Sequence, residues 1–378
     1  MHKKRYLSEI IRKNLVKKMV FIGGPRQVGK TTLALDCLNE KATEQHPAYL
    51  NWDYPPSAAK IRNLELPVSE KILILDEIHK YVRWRNLIKG IYDTQKSRHQ
   101  FIITGSARLD YYRRGGDSLL GRYRYLRLHP FSLTELNPQP TTEDLQMLLH
   151  FGGFPEPLFS QKDSELRIWQ RERIHRVIRE DLRDLERVQE ISLIELLVDM
   201  LPSRVGSVLS VNSLREDLQV DHKTVERWLT ILENLYVCFR IPPFGSPKIR
   251  AVKKEKKLYL WDWSPLENEG AKFENLVASH LLKYCHFLED TEGYTMDLRF
   301  IRDKDKREID FVVIQNKKPL FAVECKTGES QISPSIHYFK ERTSIPMFYQ
   351  IHRGTKDFQK ENIRVLPYIK FVKEFNLP

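Results

Sequence analysis

The run Gly24-Pro25-Arg26-Gln27-Val28-Gly29-Lys30-Thr31 has the spacing GxxxxGK[ST], and Thr32 follows it. Glycines at those positions let successive backbone N–H groups wrap an anion with no Cβ in the way. A helix opening at this point adds the partial positive charge of its N-terminus. The spacing therefore predicts a phosphate-binding loop whose cradle is Gly24, Pro25, Arg26, Gln27, Val28, Gly29, Lys30, Thr31 and Thr32. Lys30 is expected to meet the β- and γ-phosphates of ATP, and Thr31 to ligand Mg²⁺. Further on, Ile72-Leu73-Ile74-Leu75 ends in Asp76-Glu77. An apolar strand that delivers two carboxylates at its carboxyl end puts them where open α/β sheets bind ligands. Asp76 is expected to hold Mg²⁺ through water, and Glu77 to take the proton of the attacking water. A third run, Phe101-Ile102-Ile103, leads to Thr104 and Ser106, which places Thr104 or Ser106 near the water and the γ-phosphate. Arg122 is the candidate for neutralising transition-state charge, across a subunit contact in a homo-oligomer, with Arg108, Arg113 and Arg114 as rivals.

A second set of chemistry-bearing residues lies near the C-terminus. Glu308–Ile314 and Phe321–Lys326 alternate with period two, as strands of a hairpin do. Glu324 and Lys326 then share a face, and an odd-length loop centred on Lys317 sets Asp310 opposite Glu324. Two carboxylates supply hard oxygen ligands for Mg²⁺ or Mn²⁺. Such an ion lowers the pKa of bound water and offsets charge on a scissile phosphate. Lys326 is expected to position or activate that water or to stabilise the developing charge, and Glu274, on a helix through Phe273–Val277, to complete the metal site. Asp310 and Glu324 are thus both catalytic and metal-ligating candidates.

A third set is basic. Leu209–Leu218 and His222–Leu232 read as two helices joined by about three residues, the spacing of a helix-turn-helix. The strands Tyr236–Ile241 and Lys257–Trp261 bracket a basic stretch and supply a wing. His222, Lys223 and Arg227 are expected in the major groove, with Lys253, Lys254 and Lys256 on phosphate.

The elements that must position these residues follow from the apolar runs. Met19–Ile22, Ala48–Leu50, Ile72–Leu75 and Phe101–Ile103 are short, apolar and separated by helix-length segments, which predicts a parallel sheet with crossover helices. Tyr125–Leu128 adds a fifth strand. Asn137-Pro138-Gln139-Pro140 breaks regular structure, so the first domain is placed at 1–138, a helical and winged-helix domain at 139–262, and a mixed α/β domain at 263–378. Gly152-Gly153-Phe154-Pro155-Glu156-Pro157 interrupts the helical pattern. The whole chain has 378 residues with 41% hydrophobic and 30% charged residues, enough to bury real cores. No run approaches the length of a membrane span, no secretory leader is evident, and the four cysteines have no metal spacing, so a reducing cytoplasm is expected. The surplus of 62 Lys+Arg over 50 Asp+Glu, a net charge of +12, suits a polyanionic partner, DNA before RNA.

With these motifs quoted, the first third resembles the AAA+ class of P-loop ATPases. Together with Gly152–Pro157 it is similar to a widespread prokaryotic family of AAA+-type ATPases with a C-terminal domain of unassigned function. Asp310 followed by Glu324-x-Lys326, with a helical glutamate upstream, resembles the PD-(D/E)xK, restriction-endonuclease-like nucleases, with Ile309 where that pattern has proline. These resemblances imply Mg-ATP hydrolysis and a metal-dependent nuclease fold. Two rival readings stand beside them: an ATP-dependent switch whose nuclease-like domain is silent, and an ATPase whose basic surface serves only oligomer contacts.

Overall fold

The computed structural model describes residues 3–39, 41–105, 119–178, 190–245 and 255–378. Ser106, Arg108, Arg113, Arg114, Lys253 and Lys254 lie outside the described residues. The chain forms two compact units, Met1–His129 and Pro130–Pro378.

The first unit is built on five strands: β1 (Met19–Gly23), β2 (Tyr49–Asn51), β3 (Ile72–Asp76), β4 (Gln100–Thr104) and β5 (Tyr123–Arg127). They pair in the order β2-β3-β4-β1-β5, every pair parallel. β1 is buried from end to end, as expected for a strand covered on both faces. Met19, Phe21, Leu73, Leu75, Phe101 and Ile103 form one core face with Trp84, Ile88 and Ile91 of the helix Trp84–Gln95. Because all strands run the same way, their carboxyl ends share one edge. Register there pairs Ile22 with Thr104 and Asp76 with Thr104. The phosphate-loop candidate, Asp76 and Thr104 therefore leave the sheet side by side.

The second unit begins with helices and ends in a sheet. The double glycine predicted as a break is a packing joint. A Cβ on Gly152 would lie 2.7 Å from Asp262 Oδ1, and one on Gly153 would lie 2.8 Å from both Phe131 O and Trp263 Cη2. Phe154 carries the Arg173 guanidinium on its ring at 4.3 Å, and that buried arginine donates to Tyr236 O at 3.0 Å. Helices Val211–Leu218 and His222–Asn234 precede an antiparallel hairpin of β6 (Cys238–Ile241) and β7 (Lys257–Leu260). The 24-residue helix Glu269–Glu292 follows, capped by Asn268, whose side chain accepts from Ala271 N at 2.9 Å.

Six strands complete the unit: β8 (Met296–Arg302), β9 (Glu308–Gln315), β10 (Lys318–Lys326), β11 (Phe348–His352), β12 (Phe358–Lys360) and β13 (Ile363–Pro367). Their order is β12-β13-β11-β10-β9-β8; β11 runs parallel to β10 and β13, and the other pairs are antiparallel. The β9–β10 turn differs from the odd-length loop expected. It has two residues, Asn316 and Lys317, both at positive φ (50° and 68°), the backbone that twist-matched hairpin turns require. A register shift between Pro319 and Phe321 then inserts Leu320 as an extra residue. Beyond it Phe311 faces Val323, so Asp310 and Glu324 come opposite each other through the bulge and not through the loop. No described helix is long and apolar enough to cross a membrane.

Candidate functional site

The loop Gly24–Gly29 joins β1 to the helix Lys30–Leu38. Gly24 has φ 133°, and a Cβ there would meet Leu128 O at 2.3 Å; Gly29 has φ 95°. Both positions need glycine on backbone and contact grounds. The helix starts without a side-chain cap, so its first N–H groups face the loop's concavity. Arg5, itself buried, straps the loop from beneath, donating to Val28 O at 2.9 Å and His129 O at 2.5 Å. Lys30 Nζ folds over the loop, 3.0 Å from Gly24 O and 2.6 Å from Pro25 O.

Three hydroxyls converge on the buried Asp76. Thr31 Oγ1 donates to Oδ2 at 3.1 Å, Tyr49 OH to Oδ2 at 2.6 Å, and Thr104 Oγ1 to Oδ1 at 2.5 Å. Thr31 and Asp76 thus sit together as two oxygen ligands of a hard cation would, which fits Mg²⁺. Thr104 is fully buried and directs its hydroxyl proton to Asp76, so it orients that carboxylate. Tyr49 was not singled out from the sequence; a tyrosine in a short strand carries no signal until β2 pairs with β3 and sets Tyr49 beside Ile74.

Glu77 follows Asp76 in the left-handed region, φ 56° and ψ 17°, a conformation costly for a non-glycine residue. That twist turns its side chain away from the strand axis. Burial first, and Asp76 second, raise its pKa above the ordinary glutamate value, while Lys80 and Lys30 oppose the rise. Lys80 Nζ lies 3.4 Å from Glu77 and also pairs with Asp53. A partly desolvated carboxylate held this way is a competent proton acceptor.

Arg122 stands apart from this group. It precedes β5, and Tyr123 pairs with Met19 at the amino end of β1, whereas the loop leaves the carboxyl end. Its guanidinium makes a bidentate pair with Asp93 at 2.8 and 3.0 Å. Within one chain, Arg122 does not face the phosphate loop.

In the second unit, His222, Lys223 and Arg227 are all exposed on one side of their helix, and Lys256 is exposed at the start of β7. A cleft of about 430 Å³ lies beside His222 and Lys256, lined also by Ser210, Asn212, Glu226 and Arg240. The Arg240 guanidinium is not available to a partner there: it bonds Glu226 at 2.8 Å and Glu233 at 2.9 Å.

The C-terminal set comes together, but not around a shared vacant point. Glu274 Oε1 and Asp310 Oδ1 lie 3.0 and 3.2 Å from the ammonium of Lys257, which also meets Glu308 at 2.5 Å. Tyr259 OH donates to Glu274 at 2.7 Å, and Cys325 N to Asp310 at 2.9 Å. Glu324 turns to Lys326, 2.8 Å away. Burial, then Asp310, push Glu324 up to about 8 and Glu274 up to about 7. Burial works against the charge on Lys257, yet Tyr259 and then the surrounding carboxylates hold its pKa well above the usual lysine value. Among the described residues no group of three or more acidic, His or Cys side chains is arranged to hold a metal ion. The expected ion between Glu274, Asp310 and Glu324 does not fit: a cation of the chain itself already stands among the carboxylates. In sequence Lys257 merely opens a wing strand at the end of a basic run, and charge runs look alike whether solvated or buried.

Three stretches match known families. Residues 16–137 match the family described as AAA domain. Residues 142–268 match a domain of unknown function, DUF8612, and residues 269–371 another, DUF4143. An uncharacterized protein of Methanocaldococcus jannaschii is 23% identical over 397 aligned positions, covering 86% of this chain and 80% of its own. One of Mycobacterium tuberculosis is 22% identical over 246, covering 65% of this chain, which spans about half, 54%, of that protein's length. Among solved structures, the Thermotoga maritima RuvB Holliday junction branch migration motor is 16% identical with a TM-score of 0.31, over 64% of this chain and 90% of that one. ATP binding and hydrolysis are the activities typical of AAA+ ATPases. The chain carries an AAA-type P-loop domain over residues 16–137, followed by two domains of unknown function.

Proposed function

We propose that the chain is a Mg-ATP-hydrolysing protein that acts on DNA, and that its C-terminal domain grips without cutting. The observation that carries the first part is the convergence of Thr31, Tyr49 and Thr104 on Asp76, next to a glycine loop that opens an uncapped helix. The loop's N–H groups and Lys30 bind phosphate; Thr31 and Asp76 would hold Mg²⁺, which supplies charge neutralisation at the transferred phosphoryl group. Tyr49 and Thr104 fix both Asp76 oxygens, so the carboxylate is oriented before substrate arrives. Glu77, turned out of the strand by its left-handed backbone, accepts the proton of the attacking water. Arg122 acts in this scheme only if a second copy brings it to the γ-phosphate.

The winged-helix reading of Val211–Leu260 rests on the exposed row His222, Lys223 and Arg227 beside Lys256. Such a row supplies groove contacts and phosphate charge together. A cytoplasmic location suits this work. The switch reading shares the ATP half and lacks the DNA half.

Two measurements on the full chain test the proposal. Lys30→Ala should lose nucleotide binding, whereas Glu77→Gln should keep binding and lose turnover by about 10²–10⁴. Duplex affinity should fall with salt by about 0.9 log units per log unit for each phosphate met, and Lys223→Ala with Arg227→Ala should flatten that slope. Parental turnover in Glu77→Gln overturns the assignment of the base. A salt-independent or absent gel shift overturns the DNA half and promotes the switch.

A further inference from the structure

The cluster in the second unit has the makings of a cation site with the cation built in. Lys257 is 0% exposed, and its three N–H donors are matched one to one by Glu274, Asp310 and Glu308 at 3.0, 3.2 and 2.5 Å. An ammonium has three donors and no acceptor, so this arrangement satisfies it completely. The carboxylates come from the helix Glu269–Glu292 and from β9, while the lysine comes from a different element, the hairpin strand β7. Tyr259, two residues along the same strand, holds the Glu274 oxygen that Lys257 uses.

We propose that Lys257 replaces a divalent ion at this cluster, so that the native C-terminal domain takes up no metal there. Arg302 reaches the other Glu308 oxygen at 3.0 Å from outside, but three partly buried carboxylates around one point still need a positive charge among them, and it is either an ion from solution or a side chain. With Lys257 present the positive charge and the space are both taken. The substitution also has a mechanical effect, because the charge that completes the cluster belongs to the hairpin. The same hairpin makes a second attachment to the sheet: Phe244 N donates to Phe300 O at 2.6 Å, and Phe300 N to Pro242 O at 3.2 Å. Both ends of the hairpin connection are thereby fastened to the six-stranded sheet, one by backbone pairing and one by Lys257. The proposal stands apart from the ATP reading and holds or fails whatever the first unit does.

The test is Mn²⁺ binding to the full chain without nucleotide, by calorimetry and by the Mn²⁺ paramagnetic resonance signal. Native protein and Asp310→Asn should take up the same amount, since nothing at the cluster binds. Lys257→Ala should gain about one equivalent, with at least tenfold tighter binding than native, and Lys257→Ala with Asp310→Asn should lose it again. Lys257→Arg, which keeps the charge, should remain without the gain. Mn²⁺ bound by the native chain and lost in Asp310→Asn overturns the proposal, and needs no variant of Lys257 to fold. A folded Lys257→Ala or Lys257→Gln that gains no Mn²⁺ overturns it as well.

Discussion

Asn275 ties the backbone of β7, the strand that carries Lys257 and Tyr259, to the long helix. Its side chain is fully buried, accepting from Leu260 N at 2.8 Å and donating to Leu260 O at 2.7 Å, as a neighbouring strand would. Asparagine is a poor helix-interior residue, so local propensity does not explain it. Replacing it with leucine, which has the same branched skeleton but bulkier methyls, removes both bonds without opening a cavity. Two buried backbone groups then lose their partners, at about 1–3 kcal/mol each, for a total of about 2–6 kcal/mol. In a cooperative unit of this size that corresponds to a fall in Tm of roughly 4–24 °C. Urea denaturation followed by circular dichroism measures the stability. Hydrogen exchange of a peptide spanning residues 257–263 should quicken selectively, because the orphaned amide is there. A loss below about 1 kcal/mol, with exchange in that peptide unchanged, would refute the assignment of Asn275 as the strand's partner.

Two other perturbations have outcomes fixed by the structure. Burial, then Lys283, push the His280 imidazole down to about 3, so the native state takes no proton between the unfolded value near 6.5 and that point. The unfolded chain does take one, so stability falls as pH drops below about 6.5, by up to about 1.4 kcal/mol per pH unit. His280→Gln should remove that contribution, and identical pH slopes between 7 and 4 would contradict it. Gly153→Ala forces a Cβ to 2.8 Å from Phe131 O and should destabilise by about 1–3 kcal/mol, whereas Gly90→Ala, in an exposed helix position with nothing within 4 Å, should stabilise by about 0.4–1 kcal/mol. Equal thermal shifts for the two would refute the packing account.

The phosphate loop and Asp76-Glu77 were legible because their meaning is local: glycine spacing fixes a backbone shape, and an apolar run ending in carboxylates fixes a strand end. The parallel sheet followed from the same runs. That Arg122 would need a second copy to meet the loop is also contained in the sequence. A residue just before a parallel strand lies at the sheet's amino edge, opposite to a loop that follows one. Tyr49 and Lys257 were not legible, since each acquires its role from an element distant in the chain. The bond from Thr104 to Asp76 was not legible, because it follows from the register of β3 on β4. The double glycine at Gly152 and Gly153 was visible as a break, but its purpose, close approach to Asp262 and Trp263, is tertiary.

The extra residue at Leu320 makes the C-terminal hairpin a matter of odd and even. Asp310 and Glu324 are separated by 13 residues, an odd number. A two-residue turn between regular strands pairs only residues with an even number between them, so at this spacing the two carboxylates would point to opposite faces if Leu320 were paired regularly and not bulged. Insertions in this hairpin are therefore not graded by size. Two added residues at the turn lengthen the ribbon and keep the carboxylates together. One added residue separates them unless the bulge is lost at the same time. Relatives that keep both acids facing one another should accordingly show an odd spacing with a bulge or an odd loop, or an even spacing with neither, and lineage changes in length here should come in twos or in compensated ones.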